Sequence, residues 1–217
     1  MDTTTRPINR RTTLGGLAIA GGALFAARVP GTLAATDATK AATFHDQMRK
    51  LWEDHITWTR LYIISAVADL PDLDQTTQRL LSNQDDIGAA AATVYGDDAG
   101  AALATLLRDH ILGAAKVLTA AKAGVQADVD SASAEWYANG NDIAAFLHKA
   151  NPDNWAEADL AAQMKMHLDM TLAEATAQLT GDFATSVAEY DKVHKHILGM
   201  ADILSSGIVT QFPDKFA

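Results

Sequence analysis

Five short breaks constrain this chain more than any other feature. They are Leu70-Pro71-Asp72, Gly96-Asp97-Asp98, Gly124-Val125-Gln126, Asn151-Pro152-Asp153 and Gly181-Asp182. Proline lacks a backbone donor and cannot continue a helix, while Gly, Asn and Asp admit the turns that follow one. Between the breaks lie six long segments, 40–69, 73–94, 98–123, 127–149, 155–180 and 183–207. Their apolar residues recur at helical spacing, as in Leu103, Leu106, Leu107, Ile111, Ala114, Val117 and Leu118. No segment alternates with period two. Much alanine and only five prolines favour helix over sheet. Short connections make neighbouring helices antiparallel. The expected fold is therefore all-α: a bundle of about six helices built from three antiparallel hairpins.

The hairpins share a pattern. Their first helices carry Glu53-Asp54-His55-Ile56, Arg108-Asp109-His110-Ile111 and Lys165-Met166-His167-Leu168. Their second helices carry Asn83-Gln84-Asp85-Asp86-Ile87, Asn139-Gly140-Asn141-Asp142-Ile143 and Gly199-Met200-Ala201-Asp202-Ile203. The pattern suggests an internal repeat. Both strands of a helical hairpin rise at the same rate, so residues equidistant from the turn sit level. His55 and Asp86 are equidistant from the first break, and His110 and Asp142 from the third. His167 and Asp202 fit their turn less well; symmetry there would set His194 or His196 opposite His167.

Each histidine lies on a stripe expected to face inward. An unpaired carboxylate beside it would be costly, so each Asp should meet a cation, an imidazole or a metal. Two readings follow. In the leading one, His55, His110, His167, Asp86, Asp142 and Asp202 converge on a divalent transition metal such as Zn, Cu or Fe, for storage, delivery or sensing. In the alternative, the protein is a cofactor-free binding or structural protein of the cell envelope. Each His–Asp pair then clamps its own hairpin, which needs no metal and would repeat equally well.

The absence of cysteine removes thiolate ligands, thiol nucleophiles and disulfides. There is no Glu-x-x-His spacing of di-iron bundles, no His-Glu-x-x-His, no phosphate loop and no nucleotide fingerprint. A third reading is an enzyme using the same cluster, with Asp as base and His as acid; no specific motif supports it. Arg60 reads as half of an internal salt bridge. The methionines Met164, Met166, Met170 and Met200 read as core packing rather than a copper box. His194-Lys195-His196 reads as a solvated face, because i and i+2 residues point different ways on a helix. His45 and His148 are expected at the surface. Phe212 and Phe216 flank Pro213 in a C-terminal strap expected to pack both rings onto the bundle.

The first 38 residues form a distinct leader. Arg6, Arg10 and Arg11 precede the apolar run Leu14–Ala27, too short and glycine-rich for a stable bilayer anchor. Asn9-Arg10-Arg11-Thr12-Thr13-Leu14 resembles a twin-arginine export box, with Thr13 where Phe is usual. The domain division is thus a 1–38 signal peptide and a 39–217 helical domain. Removing the leader's four Arg and two Asp from 17 basic and 27 acidic residues takes the net charge from -10 to −12. That charge disfavours nucleic-acid partners and anionic membranes. No stable membrane insertion is expected after cleavage. The exported protein is expected outside the cell, in the periplasm or at the cell envelope.

Several blocks resemble a bacterial family of small secreted all-helical proteins. They are Leu51-Trp52-Glu53-Asp54-His55 with Trp58-Thr59-Arg60, then Trp136-Tyr137-Ala138-Asn139, Gly199-Met200-Ala201-Asp202 and Gln211-Phe212-Pro213. They span most of the 39–217 region, and the resemblance implies a helical fold and export. Some members carry the label acetylglutamate kinase. That activity needs a glycine-rich α/β core, which this chain lacks.

Overall fold

The computed structural model of the chain describes residues 34–217, with side chains from residue 40 onward. The signal peptide assigned to residues 1–38 lies outside the described residues, except that 34–38 are helical backbone. Six long helices follow in order: α1 Ala34–Val67, α2 Leu73–Tyr95, α3 Asp97–Ala123, α4 Gln126–Ala150, α5 Glu157–Leu179 and α6 Phe183–Gln211. A single turn, α7 Pro213–Phe216, ends the chain. No strand occurs among the described residues. The all-α expectation holds, and the helix boundaries fall at the punctuating residues. Gly124, for example, caps α3 in the left-handed region (φ 74°), its N–H donating to Ala120 O.

Each helix packs on its neighbours in sequence, and α6 returns to pack on α1. The six helices therefore close into a ring. Short connections make α1–α2, α3–α4 and α5–α6 antiparallel hairpins, so α1, α3 and α5 run in the same direction. Most of the interior is apolar: Trp52, Ile56, Leu107, Ile143, Leu168, Ile197 and Leu204 are among its buried members. Among the described residues no helix is long and apolar enough to cross a membrane.

Two close approaches set how tightly the helices pack. A Cβ on Gly88 of α2 would lie 2.7 Å from Gly100 O, and one on Gly100 of α3 would lie 2.5 Å from Gly88 O. Only glycine lets these backbones meet. Gly207 lies inside α6 rather than ending it, contrary to the expected boundary. A Cβ there would lie 2.1 Å from Trp155 Nε1, so this glycine makes room for an indole. Trp155 is buried between the hairpins and donates to Ile203 O at 3.3 Å. The C-terminal residues strap across the bundle as expected. Phe212 meets Tyr95 edge-on at 5.4 Å, Phe216 meets Phe44 at 4.9 Å, and Lys215 donates to Val94 O.

Candidate functional site

The three aligned histidines meet at the centre of the ring. His55 from α1, His110 from α3 and His167 from α5 are 2%, 3% and 4% exposed. Their ring centroids form a triangle with sides of 5.7, 6.1 and 6.5 Å. Parallel odd-numbered helices make this possible, since each delivers its histidine from the same direction at one height. Trp52 flanks His55 at 5.8 Å, and Trp136 flanks His110 at 5.4 Å.

The aspartates do not join them. Asp86 is exposed and pairs with Arg79 at 3.5 Å. Asp142 is exposed. Asp202 lies at the rim, held by Arg49 at 2.7 Å and His45 at 3.1 Å. Neither the mixed His–Asp ligand set nor the His–Asp clamp is formed. The position that faces each histidine lies 29 residues after it instead. Gln84 follows His55 and Asn139 follows His110 by that interval, and both contact the ring. His196 follows His167 by the same interval and packs against it. A step of two residues turns a helix by about 200°, so Asp86 falls on the opposite face from Gln84. Level height along a hairpin does not fix which face a side chain takes.

The hydrogen bonds around the rings are consistent from hairpin to hairpin. Asn83 Nδ2 donates to Leu51 O at 3.0 Å, and Asn139 Nδ2 donates to Leu106 O at 3.1 Å. His196 Nε2 donates to Gln163 O at 3.1 Å. In each case the acceptor lies four residues before the layer histidine. With its amide N–H so engaged, Asn139 turns Oδ1 to His110, whose Nδ1–H donates to it at 3.0 Å. His110 therefore holds its proton on Nδ1 and leaves Nε2 bare. Gln84 Nε2 donates to Leu80 O at 2.9 Å and to Asn83 Oδ1 at 3.1 Å, and lies 3.3 Å from His55 Nδ1. Its two N–H groups are spent on those nearer oxygens, so this contact does not fix the His55 tautomer.

Burial keeps these rings neutral. Desolvation and the neighbouring His110 lower the His55 pKa to about 3. Desolvation lowers His110 to about 4, against a small raising effect of Asn139. His167 is pushed well below the usual imidazole range by desolvation and then by His55, His110 and His196. Neutral imidazole is the form that binds metal. Unpaired polar atoms gather here too. Six buried side-chain atoms lack a hydrogen-bond partner among the described residues, and four belong to this layer: Trp52 Nε1, Gln84 Oε1, Trp136 Nε1 and His167 Nδ1.

A cavity of about 50 Å³ lies one turn beyond the layer, lined by Thr59, Ala114, Trp136 and Thr171 among apolar neighbours. A second, of about 40 Å³, lies toward Trp52, Ile87 and Leu103. Neither offers charge.

Other expectations sort as follows. Arg60 donates to Glu174 Oε1 at 2.7 Å, an internal ion pair in which Glu174 is 2% exposed. Met164 and Met200 are buried in the core, whereas Met166 is 50% exposed. His45 is partly exposed, and His148 donates from Nδ1 to Trp155 O at 2.7 Å. His194 meets Glu53 at 2.9 Å near the surface, but His196 turns inward and stacks on His167 at 6.3 Å. The solvated-face reading is thus right for one of the two. Sequence reasoning missed Gln84 and Asn139 and left His196 as one of two histidines opposite His167; the 29-residue step that unites the three positions carries a different residue type at each.

Comparison with protein-family models, curated proteins and solved structures finds no match for this chain.

Proposed function

We propose that this chain is an exported protein that binds a transition metal through His55, His110 and His167, in storage, delivery or sensing. The observation that carries the reading is the convergence of three neutral, buried imidazoles, one from each hairpin. Burying three histidines together strands polar atoms that water would otherwise satisfy, at about 1–3 kcal/mol each. A bound ion would give the bare His110 Nε2 a partner. An all-nitrogen donor set suits Zn or Cu better than harder ions. Export is supported by the Arg10-Arg11 pair and the apolar run after it. The recurring histidine and its partner 29 residues on support descent of the three hairpins from one.

Among the described residues, no three His, Asp or Glu side chains already stand at ligand distances around one point. Metal–nitrogen bonds of about 2.0–2.1 Å would set ring centroids roughly 5.2–5.5 Å apart. The observed triangle is wider, so each ring must move inward by about half an ångström. Gln84 must also turn its amide, so that its unpartnered Oε1 accepts from His55 Nδ1–H and frees Nε2.

The test is metal content. The purified chain is reconstituted with Zn, Cu or Fe and analysed for bound metal, alongside His55→Gln, His110→Gln and His167→Gln. About one tightly held ion per wild-type chain is expected, lost in each variant while the helical signal persists. A wild-type protein that stays metal-free with all three ions would reject the proposal. The layer would then be a structural polar seam, with Gln84, Asn139 and His196 as its clamps.

A further inference from the structure

The cavity one turn beyond the histidine layer repeats the three-part plan of the layer itself. Its wall includes Thr59, Ala114 and Thr171. Each stands four residues after a layer histidine, His55, His110 and His167 in turn. Ile63, Leu118 and Ala175, four residues further on, form a second course of the same wall. The chamber therefore lies between α1, α3 and α5, and its first course stands about 6 Å along their axes from the imidazoles, at 1.5 Å of rise per residue. Trp136 of α4 joins the wall, and its ring also flanks His110. Farthest along lie Ala121, Thr176 and Leu179. Thr176 is exposed, so the wall reaches the surface there.

The chemistry of the wall selects against water. Thr59 Oγ1 donates to His55 O at 2.8 Å, and Thr171 Oγ1 donates to His167 O at 2.9 Å. Both hydroxyl protons are thus spent within their own helices. The unpartnered Nε1 of Trp136 is fully covered and cannot anchor a water. A buried water needs roughly two to four polar partners, whereas an apolar cavity stays dry and takes apolar guests. Volume then sets the size of the guest. A dry cavity of about 150 Å³ accepts benzene, with its six heavy atoms, so on that scale each heavy atom needs roughly 25 Å³. The chamber measures about 50 Å³. We infer that it is a binding site for a small nonpolar molecule of two heavy atoms, the size of dioxygen. A charged ligand would find no counter-ion in the wall, and an acyl chain would exceed the volume. The inference stands whether or not the layer holds a metal. With an ion at the layer, the guest would lie one helical turn from it.

The test uses dioxygen itself as the probe. The full chain, free of metal and labelled at its methyl groups with ¹³C, is observed by NMR under pressurised oxygen and, as the control, under nitrogen. Dioxygen is paramagnetic and speeds the relaxation of the nuclei it approaches. Its effect on the methyls of Thr59, Ala114, Thr171 and Leu118 should exceed its effect on those of Ile143 and Ile197, which are buried but line neither cavity. Ala175→Val adds two carbons, roughly the volume of the chamber on the same scale, and the excess should be lost. Ala114→Val fills the space from another helix and serves if the first variant does not fold; if neither folds, the wild-type comparison decides alone. Lining methyls that relax no faster than those of Ile143 and Ile197 would overturn the inference. So would an excess that survives in the folded variants, or a long-lived water that gives cross-peaks to the lining methyls. Metal takes no part in this measurement, so its outcome and that of the metal-content test are read separately.

Discussion

The layer histidines make an unusual demand on stability. An unfolded histidine titrates near pH 6.5, whereas burial holds His55 near 3 and His110 near 4, with His167 also lowered. Above pH 6.5 neither state takes up a proton, and these groups cost nothing further. Below it the unfolded chain gains protons that the folded chain cannot, so stability falls as pH falls toward the folded values. Three such groups give a slope of about 4 kcal/mol per pH unit between roughly pH 6 and pH 4. Typical total stability is about 5–15 kcal/mol, so the metal-free protein should unfold within that window. Urea titrations at a series of pH values measure the slope. Replacing all three histidines with Gln should flatten it, and an equal slope in that variant would show that other groups control acid unfolding.

A second residue-scale prediction concerns the Arg60–Glu174 pair. Glu174 is buried, and desolvation raises its pKa even though Arg60 opposes this. Arg60→Ala leaves the carboxylate without its cation and should cost about 3 kcal/mol. The double variant Arg60→Met with Glu174→Leu removes both charges and should recover most of that loss. Thermal unfolding of the three proteins checks this, and a double variant as weak as the single one would refute it.

At the scale of helices, fit matters more than composition. Gly207→Ala puts a methyl where Trp155 Nε1 now lies, so the indole must leave its bond to Ile203 O. Overpacking of this kind costs about 1–3 kcal/mol. Gly199→Ala on the same helix meets nothing within 4 Å and should stabilise by up to about 1 kcal/mol. Opposite signs in the two melting temperatures are the expected result; two equal shifts would mean that helix propensity, not packing, governs α6. The same contrast explains what sequence could reveal. The breaks and the apolar period placed all six helices, because turn chemistry and amphipathic spacing are local. The three histidines were legible because their recurrence at 55- and 57-residue steps reports a shared place in the hairpin. Their partners were not, because an antiparallel hairpin fixes height from the turn but leaves rotation about each helix axis to tertiary packing. Asp86 and Gln84 differ by two residues and point to opposite sides. His196 was named only together with His194, since only one of two residues at i and i+2 can face the core and packing decides which.

At the scale of the molecule, the closed ring would tie retention of the proposed metal to folding. A metal held by surface His–Asp pairs would be released near pH 6 by ligand protonation, with the fold intact. Here the imidazoles sit inside, and two of them stay neutral in the folded state down to about pH 4 or below. Protons therefore could not displace an ion bound there until the ring opens. Binding only to the folded state adds about 4 kcal/mol when free metal is a thousandfold above Kd. That should raise the melting temperature by roughly 10 °C for a domain of this size. The same increment should move acid unfolding about one pH unit lower, given the slope expected for three histidines. On acid titration of the Zn-loaded protein, metal release and loss of helix should share one midpoint, and that midpoint should lie below the one for the metal-free protein. Simultaneous circular dichroism and a colorimetric Zn indicator that responds at acid pH measure both signals. Release that precedes loss of helix by a pH unit or more would place the ion outside the buried layer, at sites such as Asp202 with His45 on the rim.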